Sequence, residues 1–367
     1  MTGDVKVWQL KAQGSAQQPA RQIELAGHRL KAEPQGNKNY RLQISEGEGT
    51  TAATVTTEEM TLVGPDIYLD QQANRVWING GGELMMNLVD ANKNTLPPQA
   101  TRKEKQNLKI TWQGGMIFDG SQIYFERNVI SHSITRGKEN TQRHTSTEST
   151  ILNIELDRYV SLRTPEAANQ AAEPARRPEP KVKTLLLVDR LPEGQPVFQL
   201  AGFQQAIPTR PVLIASITRD AAGAIMEQQK LVAPTARIHV NDNRLTAEGP
   251  GALAIHRPNR NSDNATPLSF QRKAKTTAPY LFIQTNFDQA LRVDTESKSL
   301  DMTGNVRALY IPVFSMDQSF SPDNPNPPAD AFRLSCATLT MHQWTPQATG
   351  LQQSELRARG NARVSNS

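Results

Sequence analysis

One short phrase recurs along this chain. An aliphatic residue is followed by a spacer, a small or apolar residue, another spacer, and then Gly with a resumed strand. The clearest copies are Leu245-Thr246-Ala247-Glu248-Gly249, Leu300-Asp301-Met302-Thr303-Gly304-Asn305-Val306 and Leu356-Arg357-Ala358-Arg359-Gly360-Asn361-Ala362. Looser copies are Gly3-Asp4-Val5, Leu42 to Gly47, Val76 to Gly80, and Ile123 to Val129, where Arg127 stands in place of the Gly. A chain that repeats one supersecondary unit stacks its copies into an array, because a single unit cannot bury its apolar face alone. Such an array places function on a long surface or groove rather than in a catalytic cluster.

The flanks of the phrase read as hairpins. Ile67-Tyr68-Leu69, a polar turn, and Val76-Trp77-Ile78 form one. Ala236 to Val240, the turn Asn241-Asp242-Asn243, and Leu245 to Ala247 form another. Leu291-Arg292-Val293 with Leu300-Asp301-Met302 repeats the pattern. Side chains alternate across a strand with period two, so the aliphatics of each hairpin share a face. The expected inward set is Ile67, Leu69, Val76, Ile78, Ile123, Phe125, Ile238, Val240, Leu245, Leu291, Val293, Leu300 and Met302. These residues would line either a closed core or an apolar trough able to accept acyl chains. Each buried methylene is worth about 0.8 kcal/mol, so a twelve-carbon chain offers roughly 9 kcal/mol gross.

Past the Gly, many copies continue as a further strand, as in Val306 to Ile311. Gly at that joint suits a bend or bulge. Helical patterns are scarce. The stretch 164–183 is rich in Pro, Ala and charge and reads as a linker or excursion. It divides the chain into a first module, 1–163, and a second, 184–367, which are either two similar modules or one body with a long insertion. Two further excursions are expected at Pro258 to Pro279 and Ser315 to Pro328.

The bulk numbers exclude several function classes. Net charge is only +5, from 41 Lys+Arg and 36 Asp+Glu, and the charges are interspersed. No dense basic stripe exists for a nucleic-acid backbone. No apolar run approaches the roughly 18 residues of a membrane-spanning helix. Cys336 is the lone cysteine, so no intrachain disulfide can form. The six histidines are scattered, with no two at metal-ligand spacing. Gly114-Gly115 and Asn79 to Gly82 are strand corners, not phosphate loops. Acidic residues such as Asp66, Asp70, Glu126, Asp157 and Glu248 fall beside turns or on polar strand positions. A carbohydrate-active β-helix, with two carboxylates across a cleft, is the least favoured alternative. The expectation is therefore a protein with no catalytic residues, no metal and no cofactor.

The returning strands Met302-Thr303-Gly304-Asn305-Val306 and Ala358-Arg359-Gly360-Asn361-Ala362 resemble the core phrase of the OstA-like family. That family comprises periplasmic proteins of lipopolysaccharide export and the related amino-terminal domain of the outer-membrane assembly protein. The chain's length and the phrase Trp112 to Gly120 are similar to the large OstA-like proteins of planctomycete-type bacteria. The resemblance implies an all-β, OstA-like β-jellyroll, or β-taco, of stacked V-shaped strand rungs. It implies a non-catalytic role in lipopolysaccharide transport, with lipopolysaccharide or another acylated lipid in the groove. It also implies end-to-end strand pairing with other OstA-like envelope proteins, and a location in the periplasm or cell envelope. The start, Met1 to Trp8, reads as the end of a repeat, so a piece of a longer protein is expected, its targeting sequence lying elsewhere. The alternative is a scaffolding β-solenoid of the envelope that binds protein partners through its strand edges.

Overall fold

The computed structural model describes residues 2–10, 22–36, 39–47, 52–57, 60–89, 105–137, 140–162, 181–189, 211–259, 278–328, 330–344 and 353–366. The expected linker at 164–183 lies almost wholly outside them, as does most of the excursion between Pro258 and Pro279. The described residues are all-β, with antiparallel pairing throughout, no α-helix, and a β-jellyroll-like fold. They fall into two compact units. Unit 1 takes those within 1–135 and 149–185, and unit 2 those within 136–148, 186–190 and 210–367.

Unit 1 is built from β1 (Thr2–Leu10), β2 (Gln22–Pro34), β3 (Tyr40–Ser45), β4 (Ala53–Thr56), β5 (Met60–Gly64) and β6 (Asp66–Asp70), then β7 (Arg75–Asn79), β8 (Gly82–Val89), β9 (Lys105–Trp112), β10 (Gly115–Phe118) and β11 (Gln122–Arg136). Strand β12 (Gln142–Leu156) gives its first half to unit 2 and its second to unit 1, and β13 (Val182–Val188) also divides between them. Unit 2 continues with β14 (Val212–Arg219), β15 (Ile225–Ala233), β16 (Thr235–His239), β17 (Arg244–Glu248), β18 (Gly251–Pro258) and β19 (Tyr280–Phe287). It ends with β20 (Ala290–Asp294), β21 (Ser299–Val313), β22 (Phe332–Trp344), β23 (Gln353–Arg359) and β24 (Arg363–Asn366).

Each unit has two ladders joined at a line of corners. In unit 1 the short arm runs through the second half of β2, then β3, β6, β7, β10 and the start of β11. The long arm runs from β1 through the first half of β2, then β4, β5, β8, β9 and the rest of β11. Unit 2 repeats the plan. Its short arm is β16, β17, β20, the start of β21, the end of β22, and β23. Its long arm is the first half of β12, then β14, β15, β18, β19, β21, β22 and β24.

The recurring sequence phrase is the short-to-long corner. Its Gly position has φ of +103° at Gly80, +82° at Gly304 and +72° at Gly360. Asn305 and Asn361 follow with φ of +45° and +48°. Asn is among the few residues that enter this region readily. Opposite Gly304 and Asn305 stands Ala337 alone, so the ladder carries a bulge there. A shift of the same kind places Gly3 and Asp4 against His28. Neighbouring corners are tied by backbone bonds, with Asp288 N donating to Gly304 O at 2.7 Å and Ala337 N to Gly360 O at 2.9 Å.

The excursion at Ser315 to Pro328 is a cover. It lies over one face of the unit 2 long arm, where Phe282, Leu309, Ile311, Val313 and Ala331 form a buried cluster with Phe320 against it. His256 is buried there, its Nε2 2.8 Å from Gln318 O and its ring 4.6 Å from that of Phe282. It is a packed histidine.

Candidate functional site

Counting outward from each corner divides the inward residues into two rows. The row nearest the corner in unit 1 is Ile44, Ile67, Ile78, Met116 and Phe125, each directly opposite the next. All are 4% exposed or less. Its unit 2 counterpart is Ala236, Ala247, Leu291, Met302 and Leu339, all buried. These side chains are filled in from the long arm. Trp112 of β9 meets Phe125 of β11 with ring centroids 5.0 Å apart, and its Nε1 donates to Gly80 O at 3.1 Å. A Cβ on Gly64 would stand 2.7 Å from Ile78 Cγ2, so the long arm has no spare space at that point. The corner is a close-packed core.

Two residues farther out, the second row is different. In unit 2 it reads Ile238, Leu245, Val293, Leu300, Met341 and Leu356 across six strands. All six are only half-buried. Five strand spacings of about 4.8 Å make this an apolar row roughly 24 Å long. In unit 1 the matching row is Leu42, Leu69, Val76, Phe118 and Ile123, half-buried except for Ile123 at 8% exposure.

The thirteen expected inward residues therefore divide. Ile67, Ile78, Phe125, Leu291 and Met302 lie in the packed corner rows. Leu69, Val76, Ile123, Ile238, Leu245, Val293 and Leu300 lie in the outer rows. Val240 departs from the expected pattern. Strand β16 stops at His239, and Val240 sits in the turn at 42% exposure. The turn Asn241-Asp242-Asn243 begins one residue earlier than the alternation suggests, so Val240 never reaches the inward face.

Polar features lie elsewhere. Glu126, on the side of β11 opposite Phe125, is 5% exposed. Burial pushes its carboxyl above the ordinary range, with Arg127 partly offsetting this. Asp70 is also buried, yet it accepts bonds from Arg41 Nη2 at 2.8 Å and Ala73 N at 2.8 Å. These bonds and the Arg41 charge hold its carboxyl below the ordinary range against the cost of burial. Asn74, 2% exposed, clasps the hairpin tips of unit 1: its Nδ2 donates to Val160 O at 2.9 Å and its Oδ1 accepts from Leu162 N at 2.6 Å. Alternation alone could not reveal the bonds of Asp70 and Asn74, since both depend on segments distant in sequence. Among the described residues no group of three or more His, Cys, Asp or Glu could hold a metal ion. A concavity of about 370 Å³ in unit 2 is lined by Pro234, Pro250, Phe287 and Arg307, but Arg307 is already paired with Asp288 at 3.1 Å and Asp323 at 3.0 Å.

Fold and site thus define an all-β protein of repeated corner-and-arm units with a graded apolar interior. No protein-family model, curated protein or solved structure matches the chain.

Proposed function

We propose that this protein binds acyl chains along the outer apolar row, as a non-catalytic lipid-binding or lipid-conducting β-jellyroll of the cell envelope. The carrying observation is the unit 2 row of six half-buried aliphatics in direct cross-strand register. An acyl chain needs no precisely placed polar group, only a continuous apolar strip whose burial it completes. At about 0.8 kcal/mol per methylene, a strip of this length can hold a lipid against the cost of ordering it. The likeness of the corner phrase to OstA-like proteins supports lipopolysaccharide as the lipid and export to the outer membrane as the setting.

Titration with a fluorescent acyl probe and with lipopolysaccharide tests this. Saturable binding is expected, weakened about tenfold or more by Ile238→Asp or Leu245→Asp. A second reading, a scaffold with a closed interior, draws on the fully packed corner rows. It gains if neither probe binds saturably while the variants change only stability.

A further inference from the structure

We propose that the outward face of the unit 1 short arm is a binding surface for a neutral saccharide. Three adjacent strands present a grid there. On that side lie Arg41, Gln43 and Ser45 of β3, Asp66, Tyr68 and Asp70 of β6, and Arg75, Trp77 and Asn79 of β7, with Asp70 buried and already paired to Arg41. Alternation puts all nine on the side opposite Ile44, Ile67 and Ile78. At the centre Tyr68 and Trp77 stand directly opposite, their rings 4.9 Å apart and within 4° of parallel. Both are half-exposed. Gln43 Nε2 donates to the Tyr68 hydroxyl at 3.1 Å, which fixes the phenol.

A pyranose ring has apolar C–H faces and a rim of hydroxyls. Its faces pack on aromatic rings, and its hydroxyls pair with planar amides, carboxylates and guanidiniums. The grid supplies the Gln43 amide on the next strand and, two residues along the strands from the rings, the Asp66 carboxylate, the Asn79 amide and the Arg75 guanidinium. Its charges balance, with Arg41 and Arg75 against Asp66 and Asp70, which suits an uncharged glycan over a polyanion. The arm does not require aromatics here. The corresponding outward row of unit 2 reads Arg237, Thr246, Arg292, Asp301, Thr340 and Arg357, with no ring. Beyond Trp77 the row of unit 1 continues through Ile117, which is buried, to the half-buried Tyr124.

The test is calorimetric titration of the full chain with cellohexaose, maltohexaose and chitohexaose. At least one is expected to bind saturably, with Kd of about 1 mM or tighter. Trp77→Ala is expected to weaken that binding about tenfold or more, and Trp77→Phe to retain part of it. Arg292→Ala, on the matching face of unit 2, should leave the affinity unchanged. Thermal melts of each variant separate lost binding from lost fold. Saturable binding by none of the three sugars overturns the proposal. So does equal affinity in a folded Trp77→Ala protein, or binding confined to a sulfated polysaccharide and abolished by salt.

Discussion

In unit 1 the corner of β11 is turned by Arg127 and Asn128, with φ of +65° and +49°. In unit 2 the matching corner of β21 is turned by Gly304 and Asn305. The backbone bonds are the same: Gln113 N to Arg127 O and Gly114 N to Glu126 O in one, Asp288 N to Gly304 O and Gln289 N to Thr303 O in the other. What differs is which strand carries the side chain. In unit 1 the neighbour is Gly114, and Arg127 Cγ lies 2.8 Å from where a Gly114 Cβ would be. In unit 2 the neighbour is Gln289, whose Cβ lies 2.8 Å from the position of a Gly304 Cβ. The site holds one side chain per corner pair, and the two units place it on opposite strands. Arg127 accepts the αL strain of about 1–2 kcal/mol because its neighbour makes room.

The largest effect that would break the comparison is expected at the packed rows. Phe125→Ala should cost about 3–5 kcal/mol and lower hydrogen-exchange protection in the unit 1 short arm. Protection in unit 2 should hold; equal loss in both would mean that the units do not unfold separately. The corner swap sharpens the comparison. Gly304→Arg should cost about 1–3 kcal/mol through overlap with Gln289. Adding Gln289→Gly should recover part of that, with a coupling of about 0.5–3 kcal/mol in a double-mutant cycle. Additive effects would show that the reciprocal arrangement is incidental. The smallest effect concerns pH. Glu126 has a raised folded-state pKa, so the folded state binds its proton more tightly than the unfolded chain. Its contribution is fully present below the ordinary glutamate value of 4.5 and is lost as pH rises through the raised folded-state value. The unit 2 counterpart is Thr303, which does not titrate. Glu126→Gln should therefore flatten the stability loss as pH rises above the ordinary glutamate value of 4.5. An unchanged pH profile would assign that loss to other groups.

Much of this plan is legible in the sequence, because the corners at Gly80, Gly304 and Gly360 take a rare backbone conformation, with Asn next at the last two, while at Gly249 it is the close approach of the Asp288 backbone that leaves no room for a Cβ. Leu300, Met302, Gly304 and Val306 name, in order, an outer-row residue, a corner-row residue, the turn and the first long-arm residue. Even Arg127 occupies its expected place. The opposite corner, from long arm to short, left no such mark. It is made by Pro65, by Pro234, or by Asp288 and Gln289, and no single residue type is required there. Alternation located the inward residues but not their depth, since depth depends on distance from the corner. The Tyr68–Trp77 pair was equally hidden: its strands show as a hairpin, while the grid needs β3, whose pairing with β6 spans a distant segment.

The reciprocal bulges have a consequence for how such a chain can change length. Val89 pairs with Lys105 and Pro258 with Tyr280, although residues 90–104 and 259–279 lie between them. Because each corner is pinned to its neighbours by its own backbone bonds, the line of corners acts as a fixed ruler from which the arms are measured. Residues can be added or deleted at the hairpin tips without shifting which side chains point inward. A change of one residue between tip and corner would turn a whole arm inside out. The tips are thus the places where a tag, a label or a new recognition loop can be spliced with the ladder left in frame.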